Sequence, residues 1–106
     1  MAYVYELSFD IPEEQREQLK MGASLQRVLS YLRSLMANIQ GYITTRAMYS
    51  VEEGPFTHMV FQSVWHDTEY LNQHLQSRLE EQKVLLEFAP KVKITNLVAR
   101  VYEEVD

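Results

Sequence analysis

The side chains best suited to chemistry gather around one strand end. Trp65 is followed by Tyr70 and His74, and an i, i+4 pair shares one side of a helix. A neutral imidazole beside a phenol can hold or deprotonate a substrate hydroxyl. An indole N–H can steer a phenol or carbonyl. The competing reading is structural: Trp65 packs the core and His74 sits on its rim. His58, His66 and His74 fall at equal intervals of eight, on a strand, a cap and a helix. A zinc site wants several ligands at tight spacing, so no metal is expected. The chain has no Cys, which excludes a thiolate site, a disulfide and a cysteine nucleophile. No Gly-rich phosphate loop, Ser-His-Asp arrangement or Walker pattern appears, and no cofactor is expected. Glu13–Lys20 and Glu80–Lys83 read as solvated helix faces.

With 106 residues the chain has room for one core, a single domain over 1–106. Its 46% apolar and 24% charged residues match an ordinary globular protein rather than a disordered or coiled-coil one. Ten Lys and Arg against fifteen Asp and Glu leave a net charge of −5. Affinity gained by neutralising phosphates needs the opposite balance, so neither nucleic acid nor an anionic membrane is an expected partner. No apolar run reaches the roughly eighteen residues of a membrane span. The first residues lack a basic segment and an apolar one, so no signal peptide is read and a cytoplasmic protein is expected.

The elements that must position these groups follow from periodicity. Residues 2–9 alternate as a strand that stops at Asp10-Ile11-Pro12. A polar helical stretch, 12–21, opens on Pro12 with Glu13 and Glu14 at its positive end. Ser24 can cap a helix whose stripe is Leu25, Val28, Leu29, Leu32, Leu35, Met36 and Ile39. Whether Gly22 divides 12–39 into two helices is left open; Gly41 ends it. Strands at 42–51 and 56–65 flank a Gly54-Pro55 turn. Asp67 caps a helix from about 68 to 89 that ends before Pro90. The last strand is 92–103. The order β-α-β-β-α-β predicts an α+β, ferredoxin-like fold, a four-stranded antiparallel sheet with two helices on one face.

Alternation sorts the sheet. Tyr3, Tyr5, Leu7, Phe9, Ile43, Ala47, Tyr49, Met59, Phe61, Trp65, Leu97, Ala99 and Val101 form the drier set, assigned to the helices. Tyr3, Tyr5, Tyr49 and Phe61 are its candidate pocket-lining residues. Val4, Glu6, Arg46, Met48, His58, Val60, Gln62, Val64, Ile94, Asn96, Val98, Arg100 and Tyr102 form the other face. It is too apolar for a freely solvated face, and a homodimer through it is expected. Its polar groups Glu6, Arg46, His58, Gln62, Asn96 and Arg100 are expected to bond across that interface, because buried charges persist only when paired.

The run Gly41-Tyr42-Ile43-Thr44-Thr45-Arg46-Ala47-Met48-Tyr49-Ser50, the Gly-Pro turn, and Val60 to Leu71 through Trp65-His66-Asp67 resemble the antibiotic biosynthesis monooxygenase family. The likeness spans about residues 2–102 and implies a dimeric α/β barrel. The implied activity is cofactor-independent oxygenation of an electron-rich aromatic or polyphenolic small molecule, with Trp65, Tyr70 and His74 orienting it and handling protons. The family's Asn before the strand-end Trp is here Phe61, its Tyr is Leu71 with Tyr70 one step earlier, and its later Arg is Leu85. The haem-degrading branch departs further, at Tyr5 or Glu6, His74 and Val84, and is rejected. The other reading is a non-catalytic ligand-binding or stress-associated barrel.

Overall fold

The computed structural model describes residues 2–16 and 21–105. Along the chain come β1 (Tyr3–Pro12), a 3-10 turn (Glu13–Gln15), α1 (Met21–Met36), β2 (Tyr42–Tyr49), β3 (Phe56–Trp65), α2 (Thr68–Leu75), α3 (Leu79–Phe88) and β4 (Thr95–Glu103). The strands lie in the order β2-β3-β1-β4, every neighbouring pair antiparallel. This is the ferredoxin-like α+β arrangement expected from the element order. Among the described residues no helix is long and apolar enough to cross a membrane.

The core is the drier face of the two central strands under the helices. Leu7, Phe9, Ile11, Met59, Phe61 and Trp65 are sealed against Val28, Leu32 and Met36 of α1, Leu71 of α2, and Val84 and Phe88 of α3. Phe9, Phe61 and Phe88 form an aromatic trio with ring centroids 5.7–6.4 Å apart. Such pairs add to what area burial alone contributes.

Several boundaries differ from those the sequence suggests. β1 runs on to Pro12, whose missing N–H costs nothing at the end of the strand. Of the expected 12–21 helix, Glu13–Gln15 is a single 3-10 turn, and 17–20 lie outside the described residues. Ser24 does not cap α1; it is buried inside it, and its Oγ accepts from Arg27 Nη2 at 3.2 Å. β2 stops at Tyr49, and β4 begins at Thr95 rather than 92.

Two irregularities overturn parity assignments. The β2–β3 register slips between Tyr42 and Thr44, so Tyr42 packs edge-on to Trp65 at 5.6 Å while Ile43 is 41% exposed. The β1–β4 register slips between Ser8 and Asp10, and Asn96 adopts φ 53°. Beyond that slip Ile94 packs with the helix-side core rather than on the opposite face. Leu97, Ala99 and Val101 remain exposed, because the helices do not reach across β4.

The open face carries two polar rows. Arg46 Nε donates to Gln62 Oε1 (2.7 Å), Gln62 Nε2 to Glu6 Oε1 (2.9 Å), and Tyr102 Oη to Glu6 Oε2 (3.2 Å). At the far end His58 Nδ1 meets Asp10 Oδ1 (2.7 Å) and Asn96 Nδ2 donates to Asp10 Oδ2 (2.9 Å). The Asn96 bond, with His58 beside it, holds the Asp10 carboxyl below its usual range. Five of the six groups expected to bond across an interface thus bond within one chain.

The expected 68–89 helix is broken. Ser77 Oγ donates to the His74 carbonyl (2.7 Å) and accepts from Leu79 N (3.3 Å), and Arg78 stands in the left-handed region at φ 52°. A hydroxyl competing for backbone groups ends α2, and the chain restarts in a new direction.

Gly41, at φ 87°, turns the chain from α1 into β2, and a Cβ there would lie 3.2 Å from Cβ and Cδ2 of Tyr70. Gly41→Ala therefore carries both a left-handed strain and a clash. It should lower stability by about 1–2 kcal/mol in a denaturant melt and displace the Tyr70 ring.

Candidate functional site

Everything chemically distinctive surrounds the break between α2 and α3. Asp67 fixes the start of α2: its Oδ1 accepts from Tyr70 N at 3.1 Å, which sets where Tyr70 leaves the helix. One turn later His74 is buried, its ring 4.8 Å from the Trp65 ring and tilted 34°.

The partner of His74 is Glu80. Nε2 lies 2.9 Å from Glu80 Oε1, and the two side chains are 4% and 2% exposed. On one continuous helix residues six apart point about 120° away from each other. Only the reversal at Ser77–Arg78 lets them meet. Removing one partner of such a buried pair typically costs about 3–5 kcal/mol.

In the tautomer with its proton on Nε2, a neutral imidazole donates to Glu80 and leaves the Nδ1 lone pair free. Among the described residues nothing bonds Nδ1, and no buried side-chain nitrogen or oxygen lacks a partner, so Nδ1 borders open space. The larger space against this ring is a cavity of about 430 Å³ lined by Leu35, Ile39, Tyr70, Gln73, His74, Ser77 and Leu79. It is mainly apolar, with a phenol and a base on one wall.

A second cavity, of about 360 Å³, lies on the other side of the break, over β4. Tyr5, Leu75, Arg78, Glu81, Ala99, Arg100 and Val101 line it. Between the two is a void of about 10 Å³ against Tyr5, His74, Leu75, Arg78, Leu79 and Glu80. Burial, then the nearby charges of Glu80 and Glu81, push the Tyr5 phenol up to about 12. At neutral pH Tyr5 is therefore a neutral hydrogen-bonding group and not a base.

The residues singled out from sequence are only partly assembled. Trp65, Tyr70 and His74 are brought together, but Trp65 is fully buried, its Nε1 donating to Ser63 Oγ at 2.9 Å, and it lines neither cavity. It can act on a ligand only through His74. Tyr5 reaches the β4 cavity. Phe61 is sealed in the core, and Tyr3 packs partly buried against it. Tyr49, 36% exposed, sits under the Arg16 guanidinium at 4.9 Å, apart from both cavities. The three histidines do not converge: His58 is on the open sheet face, His66 is exposed, His74 is interior. Among the described residues no three His, Cys, Asp or Glu side chains cluster as a metal site would need. Glu80, read as part of a solvated face, is the correction that matters. The only sequence signal was a serine upstream able to stop the helix.

No family model matches the chain, and no curated protein does. Solved structures do. A provisionally named antibiotic biosynthesis monooxygenase from Bacillus cereus superposes with a TM-score of 0.65 at 14% identity, over 97% of this chain and 90% of that one. Another, from Deinococcus radiodurans, gives 0.62 at 13% identity over 98% and 93%. SnoaB, a cofactor-independent oxygenase from Streptomyces nogalater, solved as a point mutant, gives 0.60 at 10% identity over 99% and 94%. The chain has the fold of the antibiotic biosynthesis monooxygenase structures, in keeping with the resemblance read from Gly41–Ser50 and Val60–Leu71. At these identities the likeness establishes the fold.

The Tyr5 shift carries a sign. A folded-state value raised above the ordinary phenol near 10 favours the neutral form, so its stabilising effect is whole below that pH. It is lost as pH rises through about 12. A tyrosinate absorbance titration followed alongside circular dichroism should show a late step that is absent in Tyr5→Phe.

Proposed function

We propose that the chain is a cofactor-independent monooxygenase acting on an electron-rich aromatic or polyphenolic small molecule held in the cavity beside His74. The observation that carries this reading is the buried His74 imidazole, held through Nε2 by Glu80 on the wall of a cavity that Tyr70 also lines, with Nδ1 unbonded among the described residues. A base whose far nitrogen is oriented by a carboxylate is the arrangement general-base catalysis uses.

Nδ1 takes the phenolic proton, and the Glu80 carboxylate stabilises the imidazolium that results. The substrate anion then supplies electrons to dioxygen. One oxygen atom becomes the carbonyl at a ring position that loses its hydrogens, and the other leaves as water, so phenol plus O₂ yields quinone plus H₂O. The protein's part is to bind, deprotonate and exclude water. Tyr70 orients the ring, and Leu35, Ile39 and Leu79 supply the apolar wall.

A non-catalytic ligand-binding barrel is the second reading. Favouring it are Phe61, Leu71 and Leu85 at the positions where the resembled family has Asn, Tyr and Arg, together with the sealing of Trp65. Oxygen uptake with a panel of anthrones and dihydroxynaphthalenes separates the two. The expected result is uptake that falls about 100-fold in kcat in His74→Asn, with Tyr70→Phe shifting KM more than kcat. Saturable quenching of Trp65, the only indole, without oxygen uptake would favour the second reading.

The same proposal includes a homodimer through the open sheet face and a cytoplasmic setting. Met48, Val60, Ser8 and Val98 lie side by side across the four strands, between two polar rows that are satisfied within the chain except at Arg100. A second copy can cover that weakly polar row, with Arg100 beside it left to pair with an acidic group or reach solvent at the edge. Sedimentation equilibrium should find a dimer, and Val60→Lys a folded monomer; a wild-type monomer at high concentration would remove this part of the proposal.

A further inference from the structure

The second cavity differs in character from the one His74 faces. In the β1–β4 register Tyr5 stands opposite Val101 and Glu6 opposite Arg100. Alternation therefore puts the side chains of Tyr5, Ala99 and Val101 on the cavity side of the sheet and that of Arg100 on the open face. The polar side chains left around the crevice are Tyr5, Arg78 and Glu81. Among the described residues none of the three makes a side-chain hydrogen bond or ion pair. For Tyr5 this is unusual, because it is only 8% exposed and a buried phenol ordinarily finds a partner. Trp65, His74 and Glu80, buried to a similar degree, each have one.

Arg78 also occupies a left-handed backbone position, φ 52° and ψ 27°, where Gly or Asn is the unstrained occupant. No bond made by its side chain within the described chain offsets that cost. Charge then decides what the crevice can take. Arg78 and Glu81 cancel, so the space between them has no net sign. An anion drawn to Arg78 meets Glu81, with Glu80 beside Tyr5 at the adjoining void; a cation drawn to Glu81 meets Arg78. A neutral molecule that offers an acceptor to one and a donor to the other meets no like charge and gives up little hydration. Leu75, Ala99 and Val101 supply an apolar surface for its body. Guanidinium and carboxylate are both planar groups, which suits an acceptor and a donor held side by side in one plane.

We propose that this crevice is a binding site for a small, flat, uncharged heterocycle with a lactam edge, a ring N–H next to a ring C=O. Arg78 donates to the carbonyl oxygen, Glu81 accepts from the N–H, and the ring system lies over Leu75, Ala99 and Val101. Tyr5 bounds the end next to the void as a neutral phenol and a second donor. The site is distinct from the His74 cavity and does not depend on the oxygenase reading.

The test is calorimetric titration of the full chain with 2-quinolinone, its N-methyl derivative, 2-naphthoate and tryptophan, with backbone NMR shifts to locate binding. Saturable quinolinone binding is expected, with shifts at Leu75, Arg78 and Val101. The N-methyl derivative lacks the donor for Glu81 and should bind about tenfold more weakly, a comparison made on the wild type and so independent of any variant's folding. Arg78→Gly keeps the left-handed turn while deleting the guanidinium, so it should fold and yet weaken quinolinone about tenfold; Glu81→Ala should do likewise. Gln73→Leu, in the other cavity, should leave quinolinone affinity unchanged. Equal affinity for the N-methyl derivative, wild-type affinity in the Arg78→Gly, Glu81→Ala double variant, no binding of quinolinone, or shifts centred on Tyr70 and Gln73 would each overturn the proposal. Tighter binding of naphthoate or of zwitterionic tryptophan than of quinolinone would overturn the choice of an uncharged ligand.

Discussion

One buried hydrogen bond, His74 Nε2 to Glu80 Oε1, organises the second half of the molecule. An interior carboxylate is tolerated only with a partner, and its partner lies on a different helix only because the chain is broken at Ser77–Arg78. The reversal in turn creates the surroundings of the pair. α2 ends early enough for His74 to stack on Trp65, and α3 restarts so that Val84 and Phe88 enter the core. The polar pair and the apolar packing therefore share a single requirement, a sharp turn where helical periodicity would have continued.

What could be read from the chain alone was the part governed by repetition. Period-two alternation in 3–9 and 56–65, the Gly-Pro turn, the Asp67 cap and the α1 stripe of Leu25, Val28, Leu29, Leu32 and Met36, without exposed Leu35 and with the helix ending before Ile39, reflect local rules that the fold obeys. The failures occur where a tertiary demand overrides a local one. A continuous 68–89 helix satisfies periodicity, but it would leave Glu80 without His74. Ile43 and Ile94 fall on the expected faces until a register slip shifts them. Tyr49 and Phe61 share the parity of Tyr5, yet parity fixes only a face and not a place along the strand. Trp65, Tyr70 and His74 were legible as a group because all three hang on the one strand end and cap that the sequence marks most clearly.

The α2–α3 turn separates two spaces of similar size and opposite character. On one side lie an imidazole and a phenol against aliphatic walls; on the other, Tyr5, Arg78 and Glu81 beside Leu75, Ala99 and Val101. Tyr5, Arg78 and His74 meet around the small void between them. The turn itself gives Ser77 to one space and Arg78 to the other, and the remaining lining comes from the helices and strands.

The two register slips have a consequence for assembly. β2 and β4 are the outer strands, and each is interrupted: β2 at Ile43, β4 beside Asn96. An outer strand is a template for a further strand wherever its free N–H and C=O groups run unbroken. A bulge twists the strand and shortens that run. Growth sideways into ribbons is thereby discouraged at both margins, while the broad face of the sheet stays regular.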